Sequence, residues 1–154
     1  VIRLATQRDA MAIVELGERL RSRGLFANTG MDPLASLNHV LASIAARDRW
    51  VGVAEHRGQV VGVLMLVAQP YWWNPRARQV LDDLLCCERA GMGRALVRAG
   101  LKWALAQRDV VDVILSLNNG DWWKAETVLS RIGLERRGIA LGLSRARIEH
   151  RRAA

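Results

Sequence analysis

The stretch Cys87-Glu88-Arg89-Ala90-Gly91-Met92-Gly93-Arg94-Ala95-Leu96 constrains this chain most, because an apolar, strand-like run breaks there at two glycines and resumes with helical spacing. Glycine permits a sharp turn and lets a ligand approach the backbone. The first N–H groups of the following helix have no internal partners and carry the positive end of its dipole. A strand, a glycine turn and a helix N-terminus in that order make an anion site, and phosphates bind such sites readily.

Spacing limits which phosphate ligand fits. A mononucleotide P-loop needs G-x-x-x-x-G-K-[ST], and the chain supplies neither the glycine-lysine pair nor the hydroxyl for magnesium. A dinucleotide turn needs G-x-G-x-x-G, but the third glycine position falls on Leu96 and the turn sits late in the chain. The acidic residue expected about 20 positions on would be Asp112, which lies inside the apolar run Val110 to Leu117 and not at its end. Both nucleotide readings are therefore disfavoured.

At 154 residues, 51% of them hydrophobic and 25% charged, the chain fits one domain with one core. We take residues 1–147 as that domain and residues 148–154 as a basic tail. No apolar run approaches the roughly 18 residues of a membrane span. Val1-Ile2-Arg3-Leu4 reads as a strand and not as a signal peptide, so a cytoplasmic location without a membrane partner is expected.

The two cysteines, Cys86 and Cys87, are adjacent and would point to opposite faces of a strand, which argues against a bridge. Their spacing matches no zinc motif, no metal is expected, and His39, His56 and His150 form no recognisable thiol pairing. Small apolar residues are the simpler reading. The formal charge of +8, nearly all arginine, suits a polyanionic ligand such as a phosphate cofactor, a nucleic acid or an acidic partner. Part of that excess belongs to the segment from Ser144 to Arg152, and nucleic acid is not the expected partner.

Periodicity supplies the elements. Ile2-Arg3-Leu4 alternates as a strand; Thr6-Gln7-Arg8-Asp9 resembles a capping box, and a helix with Ile13, Leu16 and Leu20 on one face should stop at Gly24. Asp32 and Pro33 announce a second helix with the stripe Leu34, Leu37, Leu41 and Ile44. Trp50 to His56 and Val60 to Val67 are strands joined through Arg57-Gly58.

Gln69 to Arg76, with two prolines and three aromatic residues, reads as a loop. It could pack a sheet edge, line an acceptor pocket or subunit interface, or stack on bases with Arg76 and Arg78. Gln79 to Cys87 is a strand. The helix after the glycines should bury Met92, Leu96, Ala99, Trp103 and Ala106, and Val110 to Leu117 reads as a central strand buried on both faces. Asn118 to Asp121 is a turn, Trp122 to Ile132 a helix closed by Gly133, and Leu134 to Arg136 and Ile139 to Arg147 are the last strands.

The glycine turn and this element order resemble the GNAT superfamily of acyl-CoA-dependent N-acyltransferases, over essentially the whole chain. The family's pyrophosphate loop, [Q/R]-x-x-G-x-[G/A], matches at Gly91 and Gly93, with Glu88 at its first position and Arg89 beside it. A carboxylate facing a pyrophosphate would be repelled, so either Glu88 points away or cofactor binding is weakened. Ala125 to Gly138 resembles the family's A-x-x-x-Y-x-x-x-G-F element and the strand after it. The resemblance implies an α/β fold with a mixed, mostly antiparallel sheet of about six or seven strands flanked by about four helices.

It also implies acetyl transfer from acetyl-CoA to an amine by direct attack in a ternary complex. The acceptor is a small molecule or a protein amine, and exposed tryptophans would favour a homodimer. Carried over by position, cofactor contacts fall on Leu85, Cys86, Cys87, Arg89, Ala90, Gly91, Met92, Gly93, Arg94 and Ala95, with the strand edge from Leu84 to Cys87 binding the pantetheine arm. Asp82 and Asp83, unusual inside an apolar strand, are the candidate catalytic carboxylates, one facing the cleft and the other packing or a partner arginine. Tyr71, Trp72 and Trp73 are candidates for the acceptor side. The family's proton-donating tyrosine falls on Leu129, which has no proton to give; Tyr71, Ser130 or water would have to replace it. The alternative is a catalytically silent GNAT-like protein that binds CoA or a macromolecular partner.

Overall fold

Alternating side chains along two long strands build the centre of the fold. The computed structural model describes residues 1–24, 27–116 and 122–138. In it β1 (Ile2–Leu4) leads through a short 3-10 turn (Gln7–Asp9) into α1 (Ala10–Arg23), and another such turn (Ala27–Thr29) precedes α2 (Pro33–Ala45). Then come β2 (Arg49–His56), β3 (Gln59–Tyr71), β4 (Asn74–Cys87), α3 (Met92–Leu105), β5 (Val110–Ile114) and α4 (Trp122–Ser130). The sheet order is β1-β2-β3-β4-β5, antiparallel except for the parallel β4–β5 pair. Val51, Val53, Val63, Met65 and Cys86 join the core under α1 and α2, whereas Trp50, Leu64, Leu66, Ala68 and Val80 join the core under α3 and α4. Period two thus sorts the central strands into two cores, one on each face of the sheet.

Local chemistry sets the ends of these elements. The Thr6 N–H donates to Asp9 Oδ2 at 2.7 Å, fixing the entry to α1, and Gly24 closes it. Asp32 Oδ1 accepts from the Leu34 and Ala35 N–H groups at 3.0 and 2.9 Å, with Pro33 at the first helical position. Arg57 and Gly58, at φ of 52° and 76°, turn β2 into β3 with the twist that a two-residue hairpin requires. Gly133, at φ 94°, ends the turn after α4, where the Leu134 N–H donates to the Leu129 carbonyl at 3.3 Å.

Several expectations change. Five strands occur among the described residues rather than six or seven. Leu134 to Arg136 is not a strand, because Leu134 is committed to the α4 cap and packs into the core. The turn at 118–121, the strand expected at 139–147 and the tail at 148–154 lie outside the described residues. Gln69 to Arg76 is not a loop: β3 and β4 pair through it to Tyr71 and Asn74. Pro70 is tolerated because β2 has ended by then, its last pair being Arg49 with Val67, so no N–H is needed on that side.

β5 is shorter than expected and half open, with Val111 61% and Ile114 40% exposed. Among the described residues only the α3–α4 core packs against it, through Val110 and Val113, and the core under α1 and α2 includes no β5 residue. In α2 the expected Leu37, Leu41 and Ile44 pack against the core around buried Val40, whereas Leu34 stays 67% exposed. In α3 the expected Met92, Leu96, Ala99 and Trp103 pack in the core, Ala106 is exposed, and Val97, Gly100 and Ala104 are buried beside them.

Candidate functional site

The parallel pair that frames the site comes apart midway. β4 and β5 pair from Arg78 with Val110 to Leu81 with Ile114. Beyond that point the Ser116 N–H donates to Asp82 Oδ1 at 2.7 Å, and the outer edge of β4 from Asp83 to Cys87 has no strand partner among the described residues. The opening leads into a cleft of about 1030 Å³, walled by β4, the second half of α1, the start of α3 and α4.

At one end lies the glycine turn. Gly91 caps α3 at φ 81°, a left-handed conformation that costs a side chain strain, and nothing lies within 4 Å of where its Cβ would be. Gly93 lies against the strand end, where a Cβ would make an ordinary contact with Cys87 Cβ at 3.4 Å. The first turn of α3 lines this end of the cleft at Gly93 and Arg94, together with Arg89, and neither arginine has an ion-pair partner among the described residues. Glu88 is turned away from it. Both its oxygens accept from Arg19 on α1, at 2.9 and 3.2 Å, and that guanidinium holds its carboxyl below the usual range.

Asp82 and Asp83 sit at a bulge. Leu66 pairs with Asp82 and Met65 with Leu84, leaving Asp83 as the extra residue. The bulge resets the alternation, so Val80 faces the α3 core while Leu84 and Cys86 face the α1 core. Strict alternation would put one aspartate on each side; instead both line the cleft. Asp83 does take a partner arginine, Arg49, with His39 Nε2 at 3.4 Å. Burial pushes the Asp82 carboxyl above the usual range, against the opposing pull of the Ser116 hydrogen bonds.

Most of the other expected contacts are in place. Leu85, Cys87, Arg89, Ala90, Gly91, Gly93 and Arg94 line the cleft. Cys86 turns into the α1 core, Met92 packs under α3, and Ala95 lies outside the cleft wall, so these three side chains do not reach it. Burial raises both thiols, that of Cys86 to about 11, which leaves them protonated and apolar in character. Tyr71, Trp72 and Trp73 are not brought to the cleft. They form the far end of the β3–β4 hairpin, where the Tyr71 hydroxyl donates to Asp112 Oδ2 at 2.6 Å.

Leu129, 7% exposed, lines the cleft at the position of the expected acid. Ser130 donates to the Thr127 carbonyl at 3.1 Å and is outside the wall. The wall's one hydroxyl among the described residues is that of Ser116, hydrogen-bonded to Asp82. Sequence reasoning missed it, together with Arg131 and the wall from α1. A signal for α1 existed in Gly17, a glycine inside a helix, whose Cβ would lie 3.6 Å from Leu84 Cδ2.

No family model matches the sequence, and no curated protein does. Solved structures do. A transcriptional regulator from Bacillus halodurans C-125 superposes with a TM-score of 0.73 at 17% identity, covering 94% of this chain and 98% of that one. An acetyltransferase from Trypanosoma brucei gives 0.69 at 17% identity, covering 94% and 98%. A ribosomal-protein-alanine N-acetyltransferase from Brucella melitensis biovar Abortus 2308 gives 0.65 at 15% identity, covering 94% and 97%. With the split β4–β5 pair and the left-handed glycine already in view, these likenesses show that the chain has the GNAT-like fold of acetyltransferases.

Proposed function

We propose that this protein is an N-acyltransferase that moves an acetyl group from acetyl-CoA to an amine by direct attack. One observation carries the reading: the edge of β4 that has no strand partner among the described residues runs straight into a left-handed glycine, the N-terminus of α3 and two arginines without ion-pair partners among those residues. That arrangement offers a pantetheine arm backbone hydrogen bonds and a pyrophosphate a positive, uncrowded seat. Acetyl-CoA would supply an activated acetyl carbon on a thiol leaving group.

The side chains then have defined tasks. An amine arrives protonated, and its nitrogen must lose a proton before it can attack; Asp82, with its raised basicity, accepts that proton. A backbone N–H on the edge from Leu84 to Cys87 donates to the thioester oxygen as it gains charge. The C–N bond forms, the C–S bond breaks, and the nitrogen's second proton passes to the thiolate. Overall one proton is released, and Ser116 is placed to relay one between Asp82 and the cleft.

Leu129 supports a second reading, a cofactor-binding protein without turnover, because a buried leucine stands where a hydroxyl would serve the leaving thiolate. Thiol release from acetyl-CoA in the presence of a panel of amines separates the two. Amine-dependent release supports the enzyme. Thermal stabilisation by acetyl-CoA with no release supports the silent binder, and no stabilisation at millimolar cofactor overturns both.

A further inference from the structure

The far end of the β3–β4 hairpin does not line the cleft, yet it carries Trp72, the most exposed large hydrophobic among the described residues. The β3–β4 pair continues to Tyr71 and Asn74, past the last β2 partner at Val67, so the tip projects by roughly 10 Å at the usual strand rise. Trp72 and Trp73 form the turn, 89% and 64% exposed. Their rings meet edge-on at 5.3 Å, and Tyr71 packs on Trp73 at 4.8 Å, so the tip is a preformed aromatic wedge.

Within the tip itself the only charged side chains are Arg76 and Arg78. From Gln69 to Arg78 there is no acidic residue, and exposed Arg76 has no ion-pair partner among the described residues. The base of the projection is set by the Asp48 carbonyl bonded to the Ala68 N–H and the Asp109 carbonyl bonded to the Arg78 N–H. Exposed Arg47 and Arg108, the residues just before those two, therefore stand at its rim. Of the acids there, Asp109 is tied to Arg78 at 2.7 Å, Asp112 accepts from the Tyr71 hydroxyl and pairs with Arg137, and Asp48 is exposed.

We infer that this tip docks the protein onto an anionic lipid bilayer, with the tryptophans in the headgroup boundary and the arginines against the phosphates. Tryptophan favours that boundary, and basic residues are drawn to an anionic leaflet. Other occupants fit less well. A second copy held by the tip would gain at most about 250 Å² from each tryptophan, short of the roughly 800 Å² per partner of a stable interface. A single-stranded nucleic acid needs a groove to follow its backbone, whereas this tip is convex, and Arg78 is occupied by Asp109 and Gln107.

The test is co-sedimentation of the full chain with vesicles of phosphatidylcholine alone or mixed with phosphatidylglycerol, with tryptophan emission recorded alongside. Binding to the mixed vesicles with a blue shift is expected, and the W72A/W73A double variant should bind at least about tenfold more weakly and lose the shift. Arg76→Glu should weaken binding without unfolding the protein, because the side chain is exposed. The inference is overturned by equal binding to both vesicle types, by no binding, by binding the double variant retains, by preference for a single-stranded oligonucleotide, or by an oligomer that the double substitution dissolves. It does not depend on acetyl transfer, so neither result bears on the cleft.

Discussion

At Asp82 two demands oppose each other: burial disfavours its charge, while the proposed transfer to an amine requires a base. The carboxyl is raised, so it is protonated at a pH where an ordinary aspartate is ionised. Rate should therefore fall as pH drops through a value above the usual carboxylate range of about 4. Asp82→Asn keeps an oxygen for the Ser116 N–H and removes the charge. It should lower kcat by about 10²- to 10⁴-fold and abolish the acid limb of the kcat/KM profile. For a raised pKa the linked stability is present at low pH and lost as pH rises through the folded value, so this variant's Tm at pH 7 should not fall.

Asp9 behaves in the opposite way. Arg3 donates two hydrogen bonds to it at 2.8 Å and the Thr6 N–H a third, and the guanidinium holds the carboxyl far below its ordinary value. Its contribution is complete above the unfolded pKa of about 4 and declines as pH falls below that. Asp9→Asn should cost about 1–3 kcal/mol at pH 7, and the loss should shrink at pH 3, as urea unfolding at both pH values would show.

At the scale of elements, α3 links core packing to the cleft. Its Gly100 faces the sheet so closely that a Cβ would lie 2.8 Å from Leu66 Cδ1 and 2.9 Å from Leu64 Cδ2. Gly100→Val should cost about 1–3 kcal/mol and, by lifting the helix, weaken acetyl-CoA binding although no cofactor contact is changed. Gly91→Val acts at the other end through backbone strain: a left-handed φ costs a side chain about 1–2 kcal/mol. Comparing urea midpoints with cofactor affinity distinguishes them. Gly100→Val should lose both, and Gly91→Val should lose affinity out of proportion to stability.

For the whole molecule, the cleft lies between the α1 side and the α4 side, and a ligand that bridges them stabilises the fold. At a hundred times its Kd, acetyl-CoA should add about 2.7 kcal/mol, a rise in Tm of about 5–10 °C for a chain of this size. The shift should shrink as salt rises, because Arg89, Arg94 and Arg131 line the cleft without ion-pair partners among the described residues. A salt-independent shift would remove phosphate recognition from the account.

The local determinants were legible from residue types alone. Thr6 with Asp9, Asp32 with Pro33, Arg57 with Gly58, and the pair Gly91 and Gly93 specify caps and turns through forces acting over a few residues, and the structure forms each of them. Those forces also formed the glycine turn in which we propose a phosphate seat. Longer-range facts were decided only when the sheet assembled. Pro70 sits in a strand because β2 stops beside it, and Asp82 and Asp83 share the cleft because the register against β3 slips by one residue. Glu88 leaves the seat free because Arg19 is within reach on a helix distant in sequence. No local pattern encodes these outcomes, since each depends on which neighbour tertiary packing brings to a strand edge or a charge.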